Sequence, residues 1–83
     1  MSIMLGIRYP MEEAPEEAAR EFRKSLHHDR RSVPAHYFLG VAYAYMGRLT
    51  WAERMFQRAS ALDPFYVEAE AGRIVSLIAR GAS

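Results

Sequence analysis

Apolar residues in the central part of the chain recur with the spacing of an α-helix. One face carries four residues at positions i, i+3, i+4 and i+7, namely His36, Leu39, Gly40 and Tyr43. This pattern predicts a helix over residues 34–46. Pro34 suits its first turn, where the missing N–H of proline would have no partner. Gly47 follows with the backbone freedom that a helix end requires.

A second helical pattern begins directly afterwards. Its apolar stripe is formed by Leu49, Ala52, Phe56 and Ala59. The pattern predicts a helix over residues 49–62, which ends at Asp63-Pro64 because the residue before a proline is disfavoured in the α region. Gly40 and Ala52 are too small to fill a core, so we expect them where the two helix backbones come close. Tyr43 and Phe56 would fill the space beside them.

The chain also repeats itself at a constant spacing, which is the number of positions from Leu5 to Leu39. We call this spacing the repeat offset. Of the 49 positions that can be compared at this repeat offset, 11 are identical, whereas ordinary composition would give roughly three. The identities include the packing residues: Leu5/Leu39, Gly6/Gly40, Tyr9/Tyr43, Ala18/Ala52 and Phe22/Phe56. The central helical hairpin is therefore one unit of an internal repeat.

The motif of this unit resembles the tetratricopeptide repeat, whose pattern is W-x2-L-G-x2-Y, then A-x3-F, then P, with a period of about 34 residues that equals the repeat offset. The chain has Leu39-Gly40-x2-Tyr43, then Ala52-x3-Phe56, then Pro64, and His36 stands at the place of the leading Trp. The resemblance implies an all-α fold in which antiparallel helix-turn-helix repeats stack as a short solenoid.

We expect a single domain over residues 1–83, with a shortened first repeat at 1–32, a complete repeat at 33–66 and a C-terminal capping helix at 67–80. Residues 2–9 would form a short helix or an irregular segment limited by Pro10, and residues 15–28 a longer helix. The apolar stripe of the last helix is Val67, Ala71, Ile74, Val75 and Ile78. The polar residues lie largely elsewhere, as a helix that ends a stack in water requires.

The resemblance implies a function in binding other proteins, because the first helix of each such repeat lines a concave groove. By position, the groove residues would be Tyr37, Val41, Ala44, Tyr45, Ala71, Val75 and Ile78, with Ile3 and Ile7 at its beginning. Such a surface would bury a partner's peptide or amphipathic helix, since tyrosines combine a large ring with a hydroxyl group. The alternative is that Tyr37 and Tyr45 only pack against neighbouring helices.

Trp51 and Met55 suggest a second interface, because they lie one turn apart and off the apolar stripe of their helix. The alternative is that Trp51 lies flat over its own hairpin. Two repeats are fewer than the three or so that such stacks usually need. A second interpretation of the function is therefore a homo-oligomerising scaffold that uses the groove or the Trp51/Met55 face.

Composition and charge exclude several other classes. The net charge of +1 argues against a nucleic-acid binder, and no cysteine is present for disulfide or thiol chemistry. We find no catalytic constellation and expect neither an enzyme nor a cofactor. His27, His28 and His36 do not make a convincing zinc set. With no apolar run that could span a membrane and no secretion signal, the cytoplasm is the expected location.

Overall fold

Four α-helices make up the computed structural model, which describes residue 11 and residues 13–82. The helices are α1 (Pro15–His28), α2 (Val33–Tyr45), α3 (Leu49–Leu62) and α4 (Val67–Ala82). Each helix packs against the next one along the chain, and this part of the chain contains no strand. The predicted all-α fold of stacked helical hairpins is confirmed. The short helix predicted at residues 2–9 lies outside the described residues.

The internal repeat reappears in the bounds of the helices. Helices α1 and α3 are equally long and begin one repeat offset apart. Helices α2 and α4 also begin one repeat offset apart, but α4 is the longer, with 16 residues against 13. Asp29 and Asp63 follow α1 and α3 with nearly the same backbone angles, φ −145° and ψ 93° against φ −144° and ψ 94°. Each Oδ1 accepts a hydrogen bond from an N–H two residues later, Arg31 at 3.2 Å and Phe65 at 3.0 Å. Both repeats therefore use the same aspartate turn.

Helix α2 has a defined beginning and end. The Ser32 hydroxyl accepts a hydrogen bond from the N–H of Ala35 at 3.2 Å and so satisfies one of the free donors of the first turn. After α2, Gly47 adopts a φ of 79°, a left-handed conformation that glycine takes without steric cost. This turn leads directly into α3 and closes the central hairpin.

The core lies between α1, α2 and α3, as the two apolar stripes predict. It consists of Ala19, Leu39, Ala42, Tyr43, Ala52 and Phe56. His36, at the place of the family's tryptophan, is also buried. Its Nδ1 lies 3.0 Å from the carbonyl oxygen of Ser32, and because a carbonyl only accepts, Nδ1 carries the proton. One nitrogen of the buried imidazole is therefore satisfied by the residue that caps its own helix.

The ring of Phe56 is held between two glycines on neighbouring helices. A Cβ atom on Gly40 of α2 would come within 2.8 Å of a ring carbon, and one on Gly72 of α4 within 2.9 Å. Both distances are shorter than real Cβ contacts allow, so any side chain there would displace the ring. The glycines thus let α2 and α4 approach α3 closely from either side.

Helix α4 packs differently from its hydropathy pattern. It meets α3 through Ala69, Gly72 and Ser76, and Arg80 forms an ion pair with Glu53 of α3 at 2.9 Å. The predicted apolar stripe, Val67, Ala71, Ile74, Val75 and Ile78, is exposed. The expectation of a polar outward side is therefore wrong, because small residues at the repeat positions set the packing face. The capping role of residues 67–80 stays a prediction.

Candidate functional site

A shallow apolar depression lies between α2 and α4, with a volume of about 440 Å³. Its walls include six of the seven residues predicted for the groove: Tyr37, Val41, Ala44, Tyr45, Ala71 and Val75. The seventh, Ile78, is exposed on α4 but does not line the depression. Ile3 and Ile7 lie outside the described residues. The spacing of the repeat thus brings two separate segments of the chain to one surface.

Phe56, Gly72 and Ser76 also line the depression, although they are not among the predicted groove residues. Phe56 comes from α3, between the two walls, and Gly72 brings the backbone of α4 close to its ring. A glycine inside a helix is the signal that could have identified this position, by the argument that singled out Gly40. The buried core of the hairpin therefore extends into the depression.

The two tyrosines of the predicted groove differ in their surroundings. Tyr37 is half-buried, and its ring centroid lies 5.0 Å from that of Phe38, 5.6 Å from Phe56 and 5.4 Å from Tyr66. Tyr37 therefore packs between helices and also lines the depression. Tyr45 is exposed at the end of α2. Of the two tyrosines, only Tyr45 leaves more than half of its surface in solvent.

A charged side chain lies at one end of the depression. Glu68, in the first turn of α4, is the one charged residue that lines it among the described residues. Burial raises the pKa of nearby Tyr66, and electrostatic interactions with the Glu68 carboxylate and with Tyr37 raise it further. The hydroxyl group of Tyr66 therefore keeps its proton at neutral pH. The rest of the surface offers mainly hydrocarbon.

The two residues of the predicted second interface, Trp51 and Met55, differ in their exposure. Trp51 is 54% exposed, and its ring centroid lies 5.9 Å from that of Tyr43 in the same hairpin. Met55 is half-buried and packs against the core. Trp51 thus leans on its own hairpin and still leaves much of its ring in solvent.

The histidines do not gather. His27 and His28 are exposed at the end of α1, whereas His36 is buried at the start of α2. Within residues 11 and 13–82 as described, no three histidine or acidic side chains are close enough to hold a metal ion. No helix of the described part is long and apolar enough to cross a bilayer.

Helical hairpins that recur at a fixed period and leave an apolar depression on the side of the stack define a helical-repeat protein. Residues 33–66, which contain α2 and α3, match the family model of the tetratricopeptide repeat, which supports the assignment of this segment to that family. Repeats of this family generally mediate protein–protein interactions and are not enzymes. No curated protein matches the chain, and no solved structure matches it.

Proposed function

We propose that the protein is a non-catalytic adaptor that binds an apolar segment of a partner protein, a peptide or an amphipathic helix, in the depression between α2 and α4. The observation that carries this proposal is the exposure of apolar side chains along one wall. Val75 of α4 is 63% exposed, and Tyr45, which lines the depression from the end of α2, is 54% exposed. Contiguous apolar surface of this kind usually marks an interaction site.

The chemistry of the surface supports a hydrophobic ligand. Val41, Ala44, Ala71 and Val75 offer no hydrogen-bonding side chain, so affinity would come from the removal of apolar area from water. Tyr45 adds a ring that can be covered while its hydroxyl group stays hydrated. Glu68 lies at one end and would favour a partner that carries a cationic side chain beside its apolar residues.

The test is a selection of peptides from a random library displayed on phage, with the purified protein as the target. The selected peptides are synthesised, and their affinity is measured by calorimetry. We expect apolar residues at helical spacing or in alternation. The Val75→Asp variant should bind them at least about tenfold more weakly, because a carboxylate would be desolvated in the interface.

Val67→Asp is the matched control. Val67 is an exposed valine of the same helix, 68% exposed, and does not line the depression. We expect this variant to bind within about twofold of the wild type, while circular dichroism shows the same helix content for both variants. Equal affinity of the peptides for Val75→Asp and for the wild type would exclude the depression as the binding site.

The exposed apolar side of α4 favours a second candidate, self-association. Ile74 is 44% exposed and Phe65, in the turn before α4, is 89% exposed. A second copy that covers these side chains would remove them from water. Sedimentation equilibrium over a range of concentrations tests this, and Ile74→Glu should then shift the protein to monomer. A monomer at high micromolar concentration would exclude it.

A further inference from the structure

A second cleft lies between α1, the end of α2 and the start of α3, and none of its residues lines the depression between α2 and α4. Its volume is about 330 Å³. The polar and aromatic residues that line it are Arg20, Arg23, Arg48, Glu16, Tyr43 and Trp51. Neither the repeat pattern nor the proposed adaptor function accounts for this combination of guanidinium groups and aromatic rings.

The charge of the cleft is positive. Three arginines line it against a single glutamate, Glu16. The Arg23 guanidinium donates a hydrogen bond to the Tyr43 hydroxyl over 3.4 Å, which leaves it other donors. Arg20 and Arg48 are exposed and form no ion pair within the described part of the chain. Their planar donor groups are therefore available to an anion, which they can bind with two parallel hydrogen bonds each.

Aromatic surface lies beside these donors. Tyr43 is buried and belongs to the core, and the Trp51 ring is inclined to it by 49° at a centroid distance of 5.9 Å. A residue that only sealed the hairpin would be covered, whereas Trp51 leaves 54% of its surface exposed. Aromatic rings prefer offset or inclined partners at this range of distances. The indole can therefore accept another ring from solvent.

We propose that this cleft binds a segment of a partner protein in which an aromatic ring lies next to two negative charges. The ring would pack on Trp51, and the charges would meet Arg20 and Arg48. Phosphotyrosine has this chemistry in one residue, since a phosphate carries about −1.5 to −2 charges at neutral pH. A tyrosine flanked by two glutamates has it in three. The guanidinium fork of arginine matches phosphate and carboxylate alike in geometry.

A protein segment fits the surroundings better than a nucleic acid does. The whole chain carries a net charge of only +1, and α1 interrupts the positive surface with Glu16, Glu17 and Glu21. Binding along a sugar-phosphate backbone needs a continuous basic stripe. A cleft lined by three arginines suits a ligand that carries two negative charges at one place.

Trp51 is the only tryptophan of the chain, so the place of binding can be observed directly. Three short tryptophan-free peptides are the probes: one with phosphotyrosine in neutral surroundings, one with Glu-Tyr-Glu and one with Gln-Tyr-Gln. Each carries a fluorescein label for anisotropy, and unlabelled peptides are used for the emission of Trp51. We expect saturable binding of at least one anionic peptide with a change in Trp51 emission, and no binding of the neutral peptide.

The repeat supplies a matched control for the arginines. Arg20→Gln/Arg48→Gln should weaken binding about tenfold or more, which corresponds to the loss of charge-assisted hydrogen bonds. Arg54 is the equivalent of Arg20 in the next repeat, and Arg58 is the equivalent of Lys24; both are exposed on α3 outside the cleft. Arg54→Gln/Arg58→Gln removes the same charge and should change affinity less than about twofold. Thermal melts compare the stability of both variants with the wild type.

The results distinguish phosphate from carboxylates as the source of the two negative charges, and some of them would overturn the proposal. Binding of the phosphorylated peptide alone identifies phosphate as the dianion, and binding of Glu-Tyr-Glu identifies carboxylates. The proposal is overturned if neither binds, if binding leaves the emission of Trp51 unchanged, or if both double variants weaken it equally. Tighter binding of a short oligothymidylate than of either peptide would assign the cleft to nucleic acid instead.

Discussion

Helices α2 and α4 occupy the same place in successive repeats and end up in different environments. They begin one repeat offset apart, and the alanine near the start of each, Ala35 and Ala69, is buried. Helix α2 packs against both α1 and α3, whereas α4 packs mainly against α3. Gly40 of α2 corresponds to Ile74 of α4, which is exposed. The start of each helix follows the repeat, but its burial follows the number of its neighbours.

The difference shows which residues of a repeat act locally and which need a neighbour. The aspartate turns before α2 and α4 are alike because they depend on hydrogen bonds within a few residues. The glycine of α2 is required only because the ring of Phe56 lies against it. No helix of the described part covers Ile74 in the way that α3 covers Gly40, so a branched side chain is tolerated there.

The largest expected difference is between Leu39 and its counterpart in α4, Arg73. Leu39→Ala should lower the free energy of unfolding by about 2–5 kcal/mol, because it leaves a cavity in the core. Arg73 is half-buried and pairs with Glu70 of its own helix at 2.6 Å. Arg73→Ala should therefore be much less destabilising. Urea unfolding followed by circular dichroism measures both, and equal losses would contradict the comparison.

The next difference concerns Gly40 and Ile74. Gly40→Ala should destabilise by about 1–3 kcal/mol through the clash with Phe56, offset by a gain of about 0.5–1 kcal/mol in helix propensity. Ile74→Ala should cost less than Leu39→Ala, because the side chain is partly exposed. Thermal unfolding checks both. In a Phe56→Leu background the cost of Gly40→Ala should shrink, and an unchanged cost would mean that the ring is not its cause.

A smaller difference lies at the beginning of the two helices. Ser32→Ala should lower the free energy of unfolding by about 1 kcal/mol, the usual cost of a lost N-terminal cap. Ser32→Asp keeps an acceptor and should restore most of it. The residue at the same place before α4 is Tyr66, whose ring packs on Tyr37. Hydrogen exchange should show faster opening in the first turn of α2 and an unchanged α4.

The smallest expected effect is the loss of stability at low pH that Glu70 causes. Hydrogen bonds from Arg73 hold the pKa of Glu70 below its ordinary value of 4.5, although desolvation acts in the opposite direction. A lowered pKa in the folded state gives stability that is present above pH 4.5 and is lost as the pH falls through the folded value. Glu70→Gln should flatten the melting temperature between about pH 5 and about pH 3. The same slope in both proteins would exclude this pair as its source.

Much of this fold follows from sequence patterns that act within a helix or a turn. The bounds of α1 and α3 agree with the predicted residues 15–28 and 49–62, and those of α2 are shifted by one residue. Six of the predicted groove residues meet because the repeat offset fixes which helix face each segment presents. These features require only local hydrogen bonds and the period of the helix.

The features that the sequence did not reveal depend on neighbours. The hydropathy of α4 predicts an apolar packing face, but Ala69, Gly72 and Ser76 pack instead, because close approach to Phe56 requires small residues. The packing of Tyr37 among three rings requires the position of Tyr66 in the next turn. The cleft around Trp51 gathers arginines from α1 and from the turn before α3. Contacts between residues of separate helices cannot be predicted from the sequence of any one segment.

Phe56 gives the stack a shared pivot. Its ring fixes how closely α2 and α4 stand on either side of α3, and it also lines the depression between them. A ligand that contacts this ring would therefore contact the residue that packs between successive repeats. We therefore expect a ligand bound in the depression and the separation of α2 and α4 to affect each other, so that a rigid ligand would fix how far apart these two helices lie.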